Sequence, residues 1–254
     1  MRKIRITVWL LTLMLSTAGA LRAQLVQEFK PAKANCCLPS LAQNLADQLQ
    51  DWNQLGRYHE DNVRLQALPR DPNRVVFFGD SITDGWKLGQ YFPDKPYVNR
   101  GIGGQTTPQM LVRMFPDVIN LQAAALIILA GTNDIAGNTG PETAEMIQDN
   151  FRGMAELAQK HGIKVILCSL TPVSDYTSRK QTERRPPPDI ARLNEWLRKY
   201  AGETHAVYVD YFSALVDESG FLKDGYSNDG LHPNDRGYAL MAPAAQAAID
   251  KALK

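Results

Sequence analysis

The sequence predicts an α/β domain built on a five-stranded parallel sheet with helices on both faces. Short apolar runs recur along the chain, each bounded by glycine or a polar turn. Longer segments with apolar residues at helical spacing lie between them. The alternation repeats five times beyond residue 74, and strands separated by helices pair in parallel because each crossover must return to the same edge.

The chain of 254 residues opens with Met1-Arg2-Lys3-Ile4-Arg5, an apolar run from Ile6 to about Leu15, and then small residues. That order is expected of a secretory signal peptide, cut after Ala20 or, the preferred reading, after Ala23. The run is short of the roughly 20 residues that span a bilayer, as is the later run Ala123–Ala130. The expectation is a secreted or periplasmic protein with no membrane span after cleavage. Residues 1–23 hold four basic and no acidic side chains, so their removal takes the net charge from +1 to about −3. That balance gives no electrostatic footprint for nucleic acid. Three cysteines, with Cys36 and Cys37 adjacent and Cys168 inside an apolar run, do not make a disulfide scaffold. No zinc-binding pattern is present.

Residues 24–73 read as a helical N-terminal extension ahead of a main domain at 74–254. Leu41, Leu45, Leu49, Trp52 and Leu55 have helical spacing that predicts one face packed on the body, and Pro69 and Pro72 stop the pattern. Val75-Val76-Phe77-Phe78 is the first buried strand, ending at Gly79 in a turn that offers the hydroxyl of Ser81. Tyr97–Arg100 is a short second strand. It runs into Gly101-Ile102-Gly103-Gly104-Gln105-Thr106-Thr107, followed by a helix from about Pro108 to Met114. These glycines lack the spacing of a phosphate loop, but they let a backbone N–H approach a ligand closely. Ala124–Ala130 is a third strand, ending in Gly131-Thr132-Asn133-Asp134, and a helix from about Glu142 to His161 follows. Lys164–Ser169 is a fourth strand. Its exit loop, Pro172–Asp189, carries Arg179, Lys180, Arg184 and Arg185 and is expected to border the site as a basic rim. A helix over Ile190–Tyr200, a fifth strand at Ala206–Asp210 and a last helical region to Leu253, kinked or split at Pro243, complete the chain.

In open α/β sheets ligands bind at the carboxyl ends of strands, where Ser81 and Asn133 both fall. Hydrolysis by serine needs a base, a group that orients the base, and donors for the developing oxyanion. Of four histidines, His59, His161 and His205 read as surface residues. His232 lies beyond the last strand with Asp229 three residues upstream, a spacing that lets the carboxylate hold one ring nitrogen while the other faces outward. Asn133 carries an amide able to donate two hydrogen bonds.

Gly79-Asp80-Ser81-Ile82, Gly104, Gly131-Thr132-Asn133-Asp134 and Asp229-Gly230-Leu231-His232-Pro233, in that order, closely resemble the GDSL/SGNH hydrolase family. The resemblance covers about residues 74–252, with Ile82 in place of the leucine of the family name. It implies a flavodoxin-like three-layer α/β/α sandwich with strand order 2-1-3-4-5, and esterase or lipase chemistry with no cofactor and no metal. Carried over, Ser81 is the nucleophile, His232 the base and Asp229 its orienting acid. The oxyanion donors are the Ser81 N–H, the Asn133 side chain and the N–H of Gly104, with Gly103 as the other candidate glycine.

The polar, basic loop at 172–189 favours short acyl groups, acetyl above all, on a small-molecule or glycan carrier. The alternative is a lysophospholipase or thioesterase acting on longer chains, whose site would want an apolar lid. A non-catalytic binding module would be expected to have lost one of these positions, and all are present. A metal phosphohydrolase using Asp80, Asp84 and Asp134 fits the spacing poorly and leaves Asp229 and His232 without a role.

Overall fold

The chain forms one all-parallel sheet of five strands in the order β2-β1-β3-β4-β5, as expected. The strands are β1 (Val75–Gly79), β2 (Tyr97–Gly101), β3 (Ala125–Leu129), β4 (Lys164–Cys168) and β5 (Val207–Val209). Val75 lies opposite Tyr97 on one side and Ala125 on the other, Ala125 opposite Lys164, and Ile166 opposite Val207. The computed structural model describes residue 46 and residues 49–254. The expected signal peptide, Cys36, Cys37, Leu41 and Leu45 lie outside the described residues.

The helices are α1 (His59–Gln66), α2 (Ser81–Asp84), α3 (Leu88–Tyr91), α4 (Thr107–Val112), α5 (Thr132–Ile135), α6 (Ala144–Lys160), α7 (Pro187–Glu203), α8 (Tyr211–Leu215) and α9 (Asp235–Ala252), with a π-helical turn at Phe115–Ile119. The period-two alternation of strand side chains divides the apolar residues between two cores. Val76, Phe78, Leu126, Ile128, Val165 and Leu167 pack with residues of α4, α6 and α7. Val75, Phe77, Ile127, Leu129, Ile166 and Val209 pack with α3, α8 and α9. The inner strands β1, β3 and β4, covered on both faces, read in sequence as unbroken apolar runs, which is why they were legible.

Helix α7 starts at Pro187 rather than Ile190, because prolines at the first helical positions remove N–H groups that have no partner there anyway. Helix α9 is a single element through Pro243. Pro243 and Ala239, whose carbonyl it leaves unpaired, lie on the exposed side of the helix. The predicted helix over Leu41–Leu55 does not reach its end. Residues 51–57 form turns in which the Asp51 carboxylate accepts the N–H groups of Leu55 at 2.8 Å and Gly56 at 3.0 Å. A short acidic side chain that takes backbone N–H groups competes with the helix. Leu49, Trp52 and Leu55 are consequently 80%, 48% and 40% exposed rather than packed on the body.

The following residues are held by polar contacts, beside Leu65 of α1, which packs on the core. Asn62 donates to Asp117 at 2.6 Å and accepts from Arg100 Nε at 2.9 Å, Arg100 also pairs with Asp61 at 2.6 Å, and Tyr58 donates its hydroxyl proton to the Gly101 carbonyl.

Candidate active site

The strand order reverses direction between β1 and β3, and the crevice beyond their carboxyl ends is where such a sheet receives a ligand. Ser81 leaves β1 there and Asn133 leaves β3. Ser81 is the first residue of α2, capped by Asp80, whose carboxylate accepts the Ile82 N–H at 2.9 Å. Gly79 makes the turn possible: a Cβ on it would overlap Thr83 Oγ1 and come within 2.5 Å of the Leu129 carbonyl oxygen. Asp80 is fully buried, and burial pushes its carboxyl up to about 6 against the Ile82 N–H and the charges of His232 and Arg185.

His232 reaches Ser81 from the loop before α9. Its Nε2 lies 2.9 Å from Ser81 Oγ and its Nδ1 2.7 Å from Asp229 Oδ2. An ionised carboxylate only accepts, so Nδ1 carries the ring proton and Nε2 turns its lone pair to the serine hydroxyl. The other Asp229 oxygen accepts the N–H groups of Leu231 at 3.0 Å and His232 at 2.9 Å. Burial raises the Asp229 pKa, but the N–H and ring of His232 and the N–H of Leu231 outweigh it and bring the group to about 2. The turn is set by Gly230, at φ +81°, where a Cβ would overlap the Ser174 carbonyl oxygen. Ser174 in turn donates its N–H to the Gly230 carbonyl at 2.8 Å.

Asn133 is 3% exposed. Its Nδ2 donates to the Gln105 carbonyl at 3.0 Å and its Oδ1 accepts from Arg185 Nη2 at 3.1 Å. Gly103 and Gly104 are exposed, and a Cβ on Gly103 would sit 3.7 Å from that of Ser81. The Gly103 N–H is taken by Asp84 Oδ2 at 3.2 Å, whereas the N–H groups of Gly104 and Ser81 have no partner among the described residues. Gly104 is therefore the glycine with a free donor.

The structure thus gathers Ser81, His232 and Asp229 in one hydrogen-bonded chain, with the Gly103–Gln105 segment and Asn133 beside it. A hydroxyl against a neutral imidazole that is backed by a carboxylate can lose its proton as it attacks, and clustered N–H donors can hold an oxyanion. His59, His161 and His205 are exposed. Asp80, Asp84 and Asp134 are engaged separately, with Ile82, with Gly103 and Arg57, and with Thr107.

The expectation of a four-residue basic rim fails at Arg185, which is 5% exposed and turned inward. The loop instead buttresses the site: Gln181 donates to the Asp229 carbonyl at 3.2 Å, and Arg184 to the Ala136 carbonyl at 2.8 Å and Asn138 at 2.9 Å. Sequence reasoning also missed Ser227, whose hydroxyl accepts the N–H groups of Asp229 at 3.2 Å and Gly230 at 3.0 Å. A signal for Arg185 lay in Pro186-Pro187-Pro188, since the start of a packed helix fixes the residue just before it.

A family model described as GDSL-like Lipase/Acylhydrolase matches residues 77–240. A GDSL-like lipase from Bacteroides thetaiotaomicron, known as a crystal structure, is 38% identical with a TM-score of 0.72, over 79% of this chain and 98% of that one. The uncharacterized lipoprotein YqeF of Bacillus subtilis is 32% identical over 56% of this chain and 69% of its own length. The isoamyl acetate-hydrolyzing esterase of Saccharomyces cerevisiae is 25% identical over 67% of this chain and 83% of its own.

Proposed function

The chain belongs to the GDSL-like lipase/acylhydrolase family and is a carboxylic ester hydrolase, and on that premise we propose that it removes short acyl groups, acetyl above all, from a polar or carbohydrate carrier through a Ser81 acyl-enzyme. The observation that carries the residue assignment is the unbroken chain from Ser81 Oγ through His232 to Asp229, at 2.9 and 2.7 Å.

His232 Nε2 takes the hydroxyl proton as Ser81 Oγ attacks the ester carbonyl. The resulting oxyanion is held by the N–H groups of Ser81 and Gly104 and the free Nδ2 hydrogen of Asn133. The imidazolium, steadied by Asp229, gives its proton to the leaving alcohol. His232 then deprotonates water, which attacks the acyl-enzyme and releases the carboxylic acid.

The short acyl group is supported by the yeast relative, which is named for an acetate ester. The polar carrier is supported by the groups around the exposed glycines: Asp84 on Gly103, Asn138 on the Gly104 carbonyl, and Arg184 on Asn138. Export to the periplasm or the medium is part of the proposal. It rests on the N-terminal sequence and on the lipoprotein relative, and among the described residues no helix is long and apolar enough to cross a membrane.

A hydrolysis panel tests the substrate: 4-nitrophenyl esters of increasing acyl length, beside acetylated oligosaccharides. The expected result is the highest kcat/KM on acetyl esters with acetate released from the glycans. A rate that climbs with chain length would overturn it in favour of lysophospholipase or thioesterase activity.

A further inference from the structure

Arg185 is a buried charged side chain with no carboxylate in hydrogen-bond contact, Asp80 and Asp229 acting on it only through space. Its three nitrogens each donate to a neutral acceptor: Nε to Thr132 Oγ1, Nη1 to Gln181 Oε1 and Nη2 to Asn133 Oδ1, all at 3.1 Å. Burying a guanidinium against neutral partners is costly compared with an apolar side chain of similar size, so stability is a poor account of it. Two of its three contacts fall on the adjacent residues Thr132 and Asn133, at the carboxyl end of β3.

An asparagine amide can rotate by half a turn and exchange its oxygen for its nitrogen. In an oxyanion site the two orientations are opposites, because the nitrogen donates to the anion and the oxygen repels it. We infer that Arg185 is a positioning residue that fixes the Asn133 amide with Nδ2 toward the reacting centre, an inference that rests on the reading of Asn133 as an oxyanion donor.

A guanidinium has only donors, so it tolerates only Oδ1 on its side. The Gln105 carbonyl only accepts, so it tolerates only Nδ2 on the other side and uses one of its hydrogens. The second hydrogen stays free for the substrate. Rotation would set NH2 against the guanidinium and oxygen against oxygen at once. The cation also polarises the amide and strengthens the remaining N–H as a donor.

The test is a double-mutant cycle on a short-chain 4-nitrophenyl ester with Arg185→Met, Asn133→Ala and the two combined, with circular dichroism to check folding. Asn133→Ala is expected to lower kcat by about 10²–10³-fold. Arg185→Met should lower kcat at least tenfold with KM little changed, and the double variant should be no slower than Asn133→Ala within about twofold. Effects that multiply would overturn the inference, since Arg185 would then act independently of Asn133. So would an Arg185→Met enzyme with parental kcat. Should Asn133→Ala itself keep parental kcat, the oxyanion reading falls and the inference with it, an outcome distinct from the other two. Where the methionine variant does not fold, the same cycle is run with Arg185→Gln, whose amide can itself turn and so imposes no orientation on Asn133, and the same outcomes decide.

Discussion

Replacing Asp229 by asparagine separates the charge of this residue from its place in the fold. The asparagine oxygen can still accept the N–H groups of Leu231 and His232, at 3.0 and 2.9 Å in the parent, so the turn that carries His232 survives. The atom facing Nδ1 at 2.7 Å, however, becomes an NH2 donor. The imidazole must answer it with a lone pair, which moves the ring proton to Nε2 and aims it at Ser81 Oγ, 2.9 Å away. A protonated Nε2 cannot take the hydroxyl proton. The same tautomer change in a serine protease costs about 10⁴ in kcat, or about 5.5 kcal/mol at the transition state. Steady-state hydrolysis of 4-nitrophenyl acetate at pH 7–8 reads the rate, and thermal unfolding reads the fold, which should change little. Asp229→Ala should lose a comparable rate and, by stripping two N–H groups of their acceptor, about 1–3 kcal/mol of stability as well. With its pKa held near 2, Asp229 stays ionised in the parent down to strongly acidic pH, so no loss of activity above pH 4 should trace to it. A folded Asp229→Asn enzyme within tenfold of the parent would refute the reasoning.

Ser81→Ala and His232→Ala should each abolish nearly all turnover without unfolding the protein, and the double variant should be little worse than either, because the two groups act as one unit; near-native turnover by purified Ser81→Ala would remove the serine mechanism. Gly230→Ala places a Cβ on the Ser174 carbonyl oxygen at a φ of +81°, and should cost more than about 2 kcal/mol in thermal unfolding along with most of the activity. Asp134 is buried, and burial followed by the nearby charge of Glu142 raises its pKa while Thr107 opposes the shift. An acid whose folded pKa is raised holds its proton in the folded state, so its contribution is complete below the ordinary carboxylate pKa and is lost as pH rises through the raised value. Asp134→Asn, which mimics the protonated form, should therefore gain Tm over the parent increasingly from about pH 4 to the raised value of about 7 and level off above it; a difference independent of pH across that window would contradict this.

The inner strands β1, β3 and β4 were legible because they are covered on both faces, which leaves an apolar run, whereas the edge strands β2 and β5 are only partly buried and were marked by their place in the alternation. The strand-end turns were legible for a local reason too: Gly79 and Gly131 stand next to polar residues where a strand must give way to a helix. The distances of 2.9 and 2.7 Å that link Ser81, His232 and Asp229 are tertiary facts, as 151 residues separate the serine from the histidine. Arg185 was misread for the same reason. Its burial depends on acceptors supplied by Thr132 and Asn133, more than fifty positions away in sequence, and Pro186-Pro187-Pro188 marks the helix start beside it without announcing those acceptors. The N-terminal helix failed on a competition that periodicity does not weigh, since one carboxylate at Asp51 takes the N–H groups that continuing the helix would need.

The stretch ahead of β1 has a physical place in the site even though the family match begins at residue 77. Gln105 donates to the Asn53 carbonyl at 2.9 Å, Gln109 donates to the Trp52 carbonyl, and Tyr58 donates to the carbonyl of Gly101. Arg57 pairs with Asp84 at 3.4 Å, and Asp84 accepts the Gly103 N–H. The segment 101–109 is thus held by residues 52–58 on one side and by Asn133, through the Gln105 carbonyl, on the other. Gly103 and Gly104 have no side chains with which to pack, so the Gly104 N–H is fixed by these two clamps together with Asn138, which donates to the Gly104 carbonyl at 3.0 Å. Donors to an oxyanion are effective in proportion to how little they must move when charge appears. Residues 52–58 therefore brace the loop that carries the Gly104 N–H.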